Sequence, residues 1–104
     1  MIVLTYKKVL EIFGDYLEKD DDCEIFQSKH GYTVMLWNEA GKNWWDVVCC
    51  TSPNELFDKL LETAVWFQAY LMMDKADADD LTKEDQLQVE SIRKHYLKLK
   101  ENEV

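Results

Sequence analysis

Between Cys23 and Thr51 the chain carries two turn signals with one short segment between them, and no other feature limits the fold as much. Lys29-His30-Gly31 is the first and Glu39-Ala40-Gly41-Lys42 the second. Gly, Asn and small polar residues at such points favour tight reversals. The segments they separate, Cys23–Ser28, Tyr32–Asn38 and Trp44–Thr51, are rich in aromatic and β-branched residues and read as strands. Connections this short cannot make parallel crossovers, so the three strands must form an antiparallel meander.

Helical patterns flank the strands. Thr5 is placed to cap a first helix running to about Lys19, with Tyr6, Val9, Ile12, Phe13, Tyr16 and Leu17 on one apolar stripe. Gly14 interrupts that helix as a residue of poor helix propensity, and it marks a place where another element would approach closely. Ser52-Pro53-Asn54-Glu55 has the cap, the first-position proline and the acidic third residue of a helix start. The helix after it should reach about Asp74. Thr82 should cap a last helix to about Asn102, with Val89, Ile92, Tyr96 and Leu99 on a narrow stripe. The expected class is α+β: helix, three-stranded antiparallel meander, then two helices, with the helices packed on the sheet. At 104 residues the chain has the length of a single domain, 1–104.

The strand faces sharpen this expectation. With the second hairpin closed symmetrically about its turn, Tyr32, Val34 and Leu36 share a face with Cys49, Val47 and Trp45. That face is apolar and should meet the helices. The other face should carry Met35, Trp37, Trp44 and Val48, with Asp46 among them and Cys50 beyond. A slip of one residue would turn Asp46 inward, which sets the expected register. The second helix has a core stripe of Leu56, Leu60, Ala64, Phe67 and Leu71, and a second stripe of Trp66, Tyr70 and Met73. The last helix can cover only one of these two extra surfaces. Met35, Trp37, Trp44, Val48, Trp66, Tyr70 and Met73 are therefore the candidate interaction surface.

Charge and motif content remove several function classes. Acidic residues outnumber basic ones 21 to 12, for a net charge of −9. Phosphate binding rests on Lys and Arg displacing counterions, so no nucleic-acid partner is expected. The order helix, three strands, helix is also that of double-stranded RNA-binding domains. However, the start of the second helix, Pro53 to Lys59, lacks the basic groups that contact phosphates there. Ala64 to Met73, the longest apolar stretch, is broken by Gln68 and is too short to cross a bilayer. Ile2 to Leu4 is too short for a signal-peptide core. A cytoplasmic, non-membrane protein is expected. Three cysteines, Cys23, Cys49 and Cys50, fit reduced thiols in such a compartment.

Neither His30 nor His95 has a serine or cysteine at catalytic spacing, and no zinc, phosphate-loop or dinucleotide motif occurs. The acidic runs Asp20-Asp21-Asp22 and Asp74 to Asp80 suggest a calcium loop, but the pattern fails: Asp77 and Asp79 fit two positions, while Leu81 and Thr82 stand where a ligand and a glycine belong. No catalytic, cofactor or metal residue is assigned, and no enzyme activity is expected. The primary reading is a small acidic protein-interaction module (an adaptor, regulator or inhibitor) with a protein partner or a second copy of itself in a homodimer. One alternative is a small-ligand binder or enzyme whose aromatic pocket surrounds Asp46, a carboxylate between tryptophans being a group that desolvation perturbs. Another is an acidic nucleic-acid mimic that inhibits a DNA-binding protein.

Overall fold

The computed structural model describes residues 4–76 and 82–102. Its order is α1 (Tyr6–Ile12), α2 (Gly14–Lys19), β1 (Cys23–Ser28), β2 (Gly31–Asn38), β3 (Asn43–Cys50), α3 (Pro53–Ala76) and α4 (Lys83–Asn102). The chain is α+β: a three-stranded antiparallel sheet in the order β1-β2-β3, with helices packed against it. The acidic residues Asp77 to Asp80, weighed above as a calcium loop, lie outside the described residues, as does Leu81.

The first helix is two. The side-chain oxygen of Thr5 accepts from the Lys8 amide at 3.2 Å, as expected of a cap, but helical geometry breaks at Phe13. Glycine at the next position weakens the helix there, and helices kink at such points. No other element approaches Gly14 within 4 Å of where a Cβ would sit, so its place is not set by a close neighbour. The break turns Phe13 and Tyr16 into the core, where both are buried.

Capping fixes the later helices. Ser52 Oγ accepts from the Glu55 amide at 3.2 Å, while the Glu55 carboxylate takes the Thr51 amide at 2.6 Å and the Thr51 hydroxyl at 2.8 Å. These bonds hold the Glu55 carboxyl below the usual carboxylate range. Thr82 and Asp85 exchange bonds in the same way at the start of α4. Gly31 is required by its own geometry: its φ is +139°, and a Cβ there would collide with the Cys50 carbonyl.

One core gathers Val9, Ile12, Phe13 and Tyr16 from the first two helices. Cys23, Val34, Leu36 and Cys50 join from the sheet, and Leu56, Phe57, Leu60, Leu61, Ala64 and Val65 from α3. Tyr96 closes it from α4, its ring stacked on Phe13 at 4.6 Å. The core stripe of α3 runs where expected at Leu56, Leu60 and Ala64, but it has faded by Phe67, which is half-buried, and Leu71 is exposed. Val65 and Ala69 stay buried, so the buried side of the helix has shifted by that point. α4 lies on α3 and α1, with Val89, Ile92 and Leu99 packed against the core beside Tyr96. Among the described residues no helix covers the outer face of the sheet, where Phe26 and Val47 are exposed.

A bulge in the edge strand corrects the expected register. Near the turn, Trp37 faces Trp44 as expected. Beyond it Leu36 pairs with Asp46, Met35 with Val47, Val34 with Val48, Thr33 with Cys49 and Tyr32 with Cys50. Trp45 has no partner in the ladder and is a one-residue bulge. Because side chains alternate, the bulge exchanges the faces of β3 from Asp46 onward. Asp46, Val48 and Cys50 turn toward the helices, while Val47 and Cys49 turn outward. Burial agrees: Cys50 is buried, whereas Cys49 is exposed and Val47 is 55% exposed. Val48, assigned to the outer face from the sequence, therefore lies on the helix side at the edge, opposite Val34. Trp45, assigned to the core, is 62% exposed.

Candidate functional site: an aromatic cleft with an ion pair at its floor

The inward turn of Asp46 sets it against α3. Lys59 Nζ donates to Asp46 Oδ2 at 2.6 Å, with both side chains largely withdrawn from water at 13% and 27% exposure. An ammonium in that position needs a counter-charge, since burying an unpaired ion costs several kcal/mol. The pairing explains the slipped register: the carboxylate on the helix side is matched by a cation already there.

This pair is part of the lining of a cleft of about 500 Å³ between the sheet and α3. One wall is α3, which contributes Lys59, Glu62, Thr63, Trp66, Phe67 and Tyr70. Their spacing of three, one, three, one and three residues is that of a single helix face. The opposite wall is Leu36, Trp37, Trp45 and Asp46 from the sheet. The end is closed by Tyr16 and by Asp20 and Asp22, which follow α2. Tyr16 donates to Asp20 Oδ2 at 2.6 Å, and the Asp22 amide donates to Asp20 Oδ1 at 3.1 Å. Burial, with the bond to Asp20, pushes the Tyr16 hydroxyl far above its ordinary range. Burial likewise pushes the nearby Cys23 thiol up to about 11.

Three of the aromatic side chains that line the cleft, Trp45, Trp66 and Tyr70, are exposed. Trp66 is 56% and Tyr70 65% exposed, with ring centroids 6.0 Å apart. Trp37 is held from two sides. Its Nε1 donates to Glu39 at 2.7 Å, and its ring meets Trp44 edge-on at 4.9 Å. It therefore joins the cleft to the outer face of the sheet.

Of the seven residues proposed as an interaction surface, the structure brings Trp37, Trp66 and Tyr70 into the cleft. Trp44 stands beside it against Trp37. Met35 lies on the outer face opposite Val47, Met73 lies further along α3, and Val48 is on the helix side. Trp45, Lys59, Glu62, Asp20 and Asp22 were not foreseen. A usable signal was present for the α3 members: Lys59, Glu62 and Thr63 recur with Trp66 and Tyr70 at helical spacing. Asp46 lines an aromatic cleft, but on the helix side of the sheet and not on the outer face expected for it, and it is paired with Lys59 instead of lying alone between tryptophans. Thr63 is buried and turns its hydroxyl back to the Lys59 and Leu60 carbonyls at 2.9 and 3.1 Å. Neither histidine lines the cleft. Among the described residues no cluster of His, Cys, Asp or Glu has the arrangement of a metal site, no disulfide occurs, and no helix is long and apolar enough to cross a membrane.

Comparison of the chain with protein-family models, with curated proteins and with solved structures gave no match.

Proposed function

We propose that this chain is a small protein-interaction module, an adaptor, regulator or inhibitor, that works by binding a protein segment in the aromatic cleft. The observation that carries this reading is the convergence of Trp37 from β2, Trp45 from β3, and Trp66 and Tyr70 from α3 around one concave space. Large aromatic side chains around a concavity are what interface centres are made of, and about 500 Å³ falls in the range of ligand-sized clefts. The alternative of catalysis has less support. Asp46 is tied to Lys59 and Asp20 to Tyr16, and among the described residues no nucleophile stands beside a base in the cleft.

Selection of peptides from a random display library against the folded chain tests the reading. Peptides that bind the wild type should lose about thirtyfold in affinity on Trp66→Ala, the loss of a hot-spot tryptophan worth about 2 kcal/mol. Trp66 is exposed, so its truncation leaves the core intact. Peptides that bind Trp66→Ala and Trp45→Ala as tightly as the wild type would overturn the reading, as would a selection that enriches nothing.

The uncovered outer face supports a second reading, self-association. Phe26, Met35, Trp44 and Val47 lie there with Glu24 as the sole charged side chain of the paired strands on that side. Two chains of net charge −9 repel each other least through such a face. Sedimentation should show a dimer that Val47→Glu dissociates. A wild type that stays monomeric at high concentration removes this reading and leaves the first untouched.

A further inference from the structure

The cleft has a chemical bias that the binding reading does not use. Among the described residues four carboxylates line it, those of Asp20, Asp22, Asp46 and Glu62, against one ammonium, that of Lys59. Lys59 is consumed by Asp46, and Asp20 holds the Tyr16 hydroxyl. Asp22 and Glu62 are exposed, and among the described residues their carboxylates have no hydrogen-bond or ion-pair partner. The cleft thus offers two uncommitted negative charges within a lining of π-faces, in a molecule of net charge −9.

Those two features select the same guest. An aromatic face carries a negative quadrupole and attracts a cation over the ring. A carboxylate at the rim attracts it further and can accept paired N–H donors. Guanidinium satisfies both, because it is planar, stacks on Trp and Tyr, is weakly hydrated and presents donors in a fork. An ammonium is compact and strongly hydrated, so it gives up more water to enter. Anionic guests are repelled, and an uncharged apolar guest would leave Asp22 and Glu62 facing it without a partner.

We propose that the cleft receives an arginine side chain from a basic segment of a protein partner, the guanidinium stacking on Trp66 and Trp45 and pairing with Glu62 and Asp22. This rests on the binding reading above, and the two fail separately. Selected peptides that occupy the cleft without a basic residue would leave that reading standing and sink this one.

The test is a titration followed by amide and indole proton–nitrogen correlation spectra of the full chain. Three capped pentapeptides are compared, each with one central residue between glycines: arginine, lysine or citrulline, the last being the uncharged isostere of arginine. The arginine peptide should shift the Trp45 and Trp66 indole signals saturably. The lysine peptide should do so more weakly and the citrulline peptide not at all. Glu62→Gln and Asp22→Asn should each weaken the arginine peptide about two- to fivefold, as expected of one rim charge, and leave other signals in place. Citrulline equal to arginine would overturn the proposal. So would arginine shifts confined to the outer face around Phe26 and Val47, or no saturable shift.

Discussion

Asp46 and Lys59 carry the largest local consequence. Their 2.6 Å contact ties β3 to α3 within the cleft lining. Lys59→Met should destabilise the chain by about 1–3 kcal/mol, because it strands a half-buried carboxylate. Asp46→Asn should cost less on the Lys59→Met background than alone. A double-mutant cycle in urea reads the coupling, and a coupling of zero would show that the pair is not formed. The thiols divide in the same clear way. Cys49 is exposed while Cys23 and Cys50 are buried, so a thiol reagent should label one cysteine in the native chain and all three in urea. Alkaline stability follows from buried acids that stay protonated when folded. The Cys23 thiol is raised from 9.0 to about 11 and the Tyr96 hydroxyl from 10.0 to about 12, each mainly by burial. Between its unfolded and folded values each group binds a proton more tightly in the native state. The stability these two groups contribute is therefore whole below about pH 9, falls as pH rises from 9 toward 12, and is lost beyond it. Urea midpoints measured at pH 8 and at pH 10.5 should differ in that direction.

At the scale of elements, strands and caps were legible and the bulge was not. Turn residues at Lys29–Gly31 and Glu39–Lys42 placed the hairpins, and Ser52-Pro53-Asn54-Glu55 placed α3, because local backbone chemistry decides those positions. The register of β3 depends instead on a non-local fact. Excluding a carboxylate from the helix side is sound only when no cation waits there, and Lys59 waits there from thirteen residues along the chain. The tandem Trp44-Trp45 then absorbs the shift: one ring pairs with Trp37 and the other leaves the ladder. Deletion tests this. Removing Trp45 joins two stretches already paired and should leave a regular sheet that melts cooperatively. Removing Val47 instead reverses the faces of the strand from its N-terminal side and should break the ion pair or expose Cys50. Equal melting temperatures for the two deletions would contradict the bulge. In α3 the core stripe is steepest at Leu60, which is fully buried, and Leu60→Ala should cost about 2–5 kcal/mol. Phe67, half-buried and edge-on to Tyr16 at 5.5 Å, should cost less on truncation than its size suggests.

For the whole molecule, the position of α4 decides which surfaces remain free. The stack of Tyr96 on Phe13, and Lys100 over the Phe57 ring at 4.7 Å, fasten α4 to the far side of the core from the outer sheet face. Sequence alone left that choice open, since a narrow apolar stripe fits either surface. Tyr96→Ala should cost about 3 kcal/mol or more and raise amide exchange along α4 before the sheet. The bulge in β3 turns Asp46 toward Lys59, and that ion pair is part of the cleft lining. Interstrand nuclear Overhauser contacts in β2 and β3 test that arrangement most directly. The expected result is Met35 facing Val47 and Val34 facing Val48, with Trp37 still facing Trp44. Met35 facing Asp46 and Val34 facing Val47 would restore the unbulged register, turn Asp46 away from Lys59, and contradict the cleft as described.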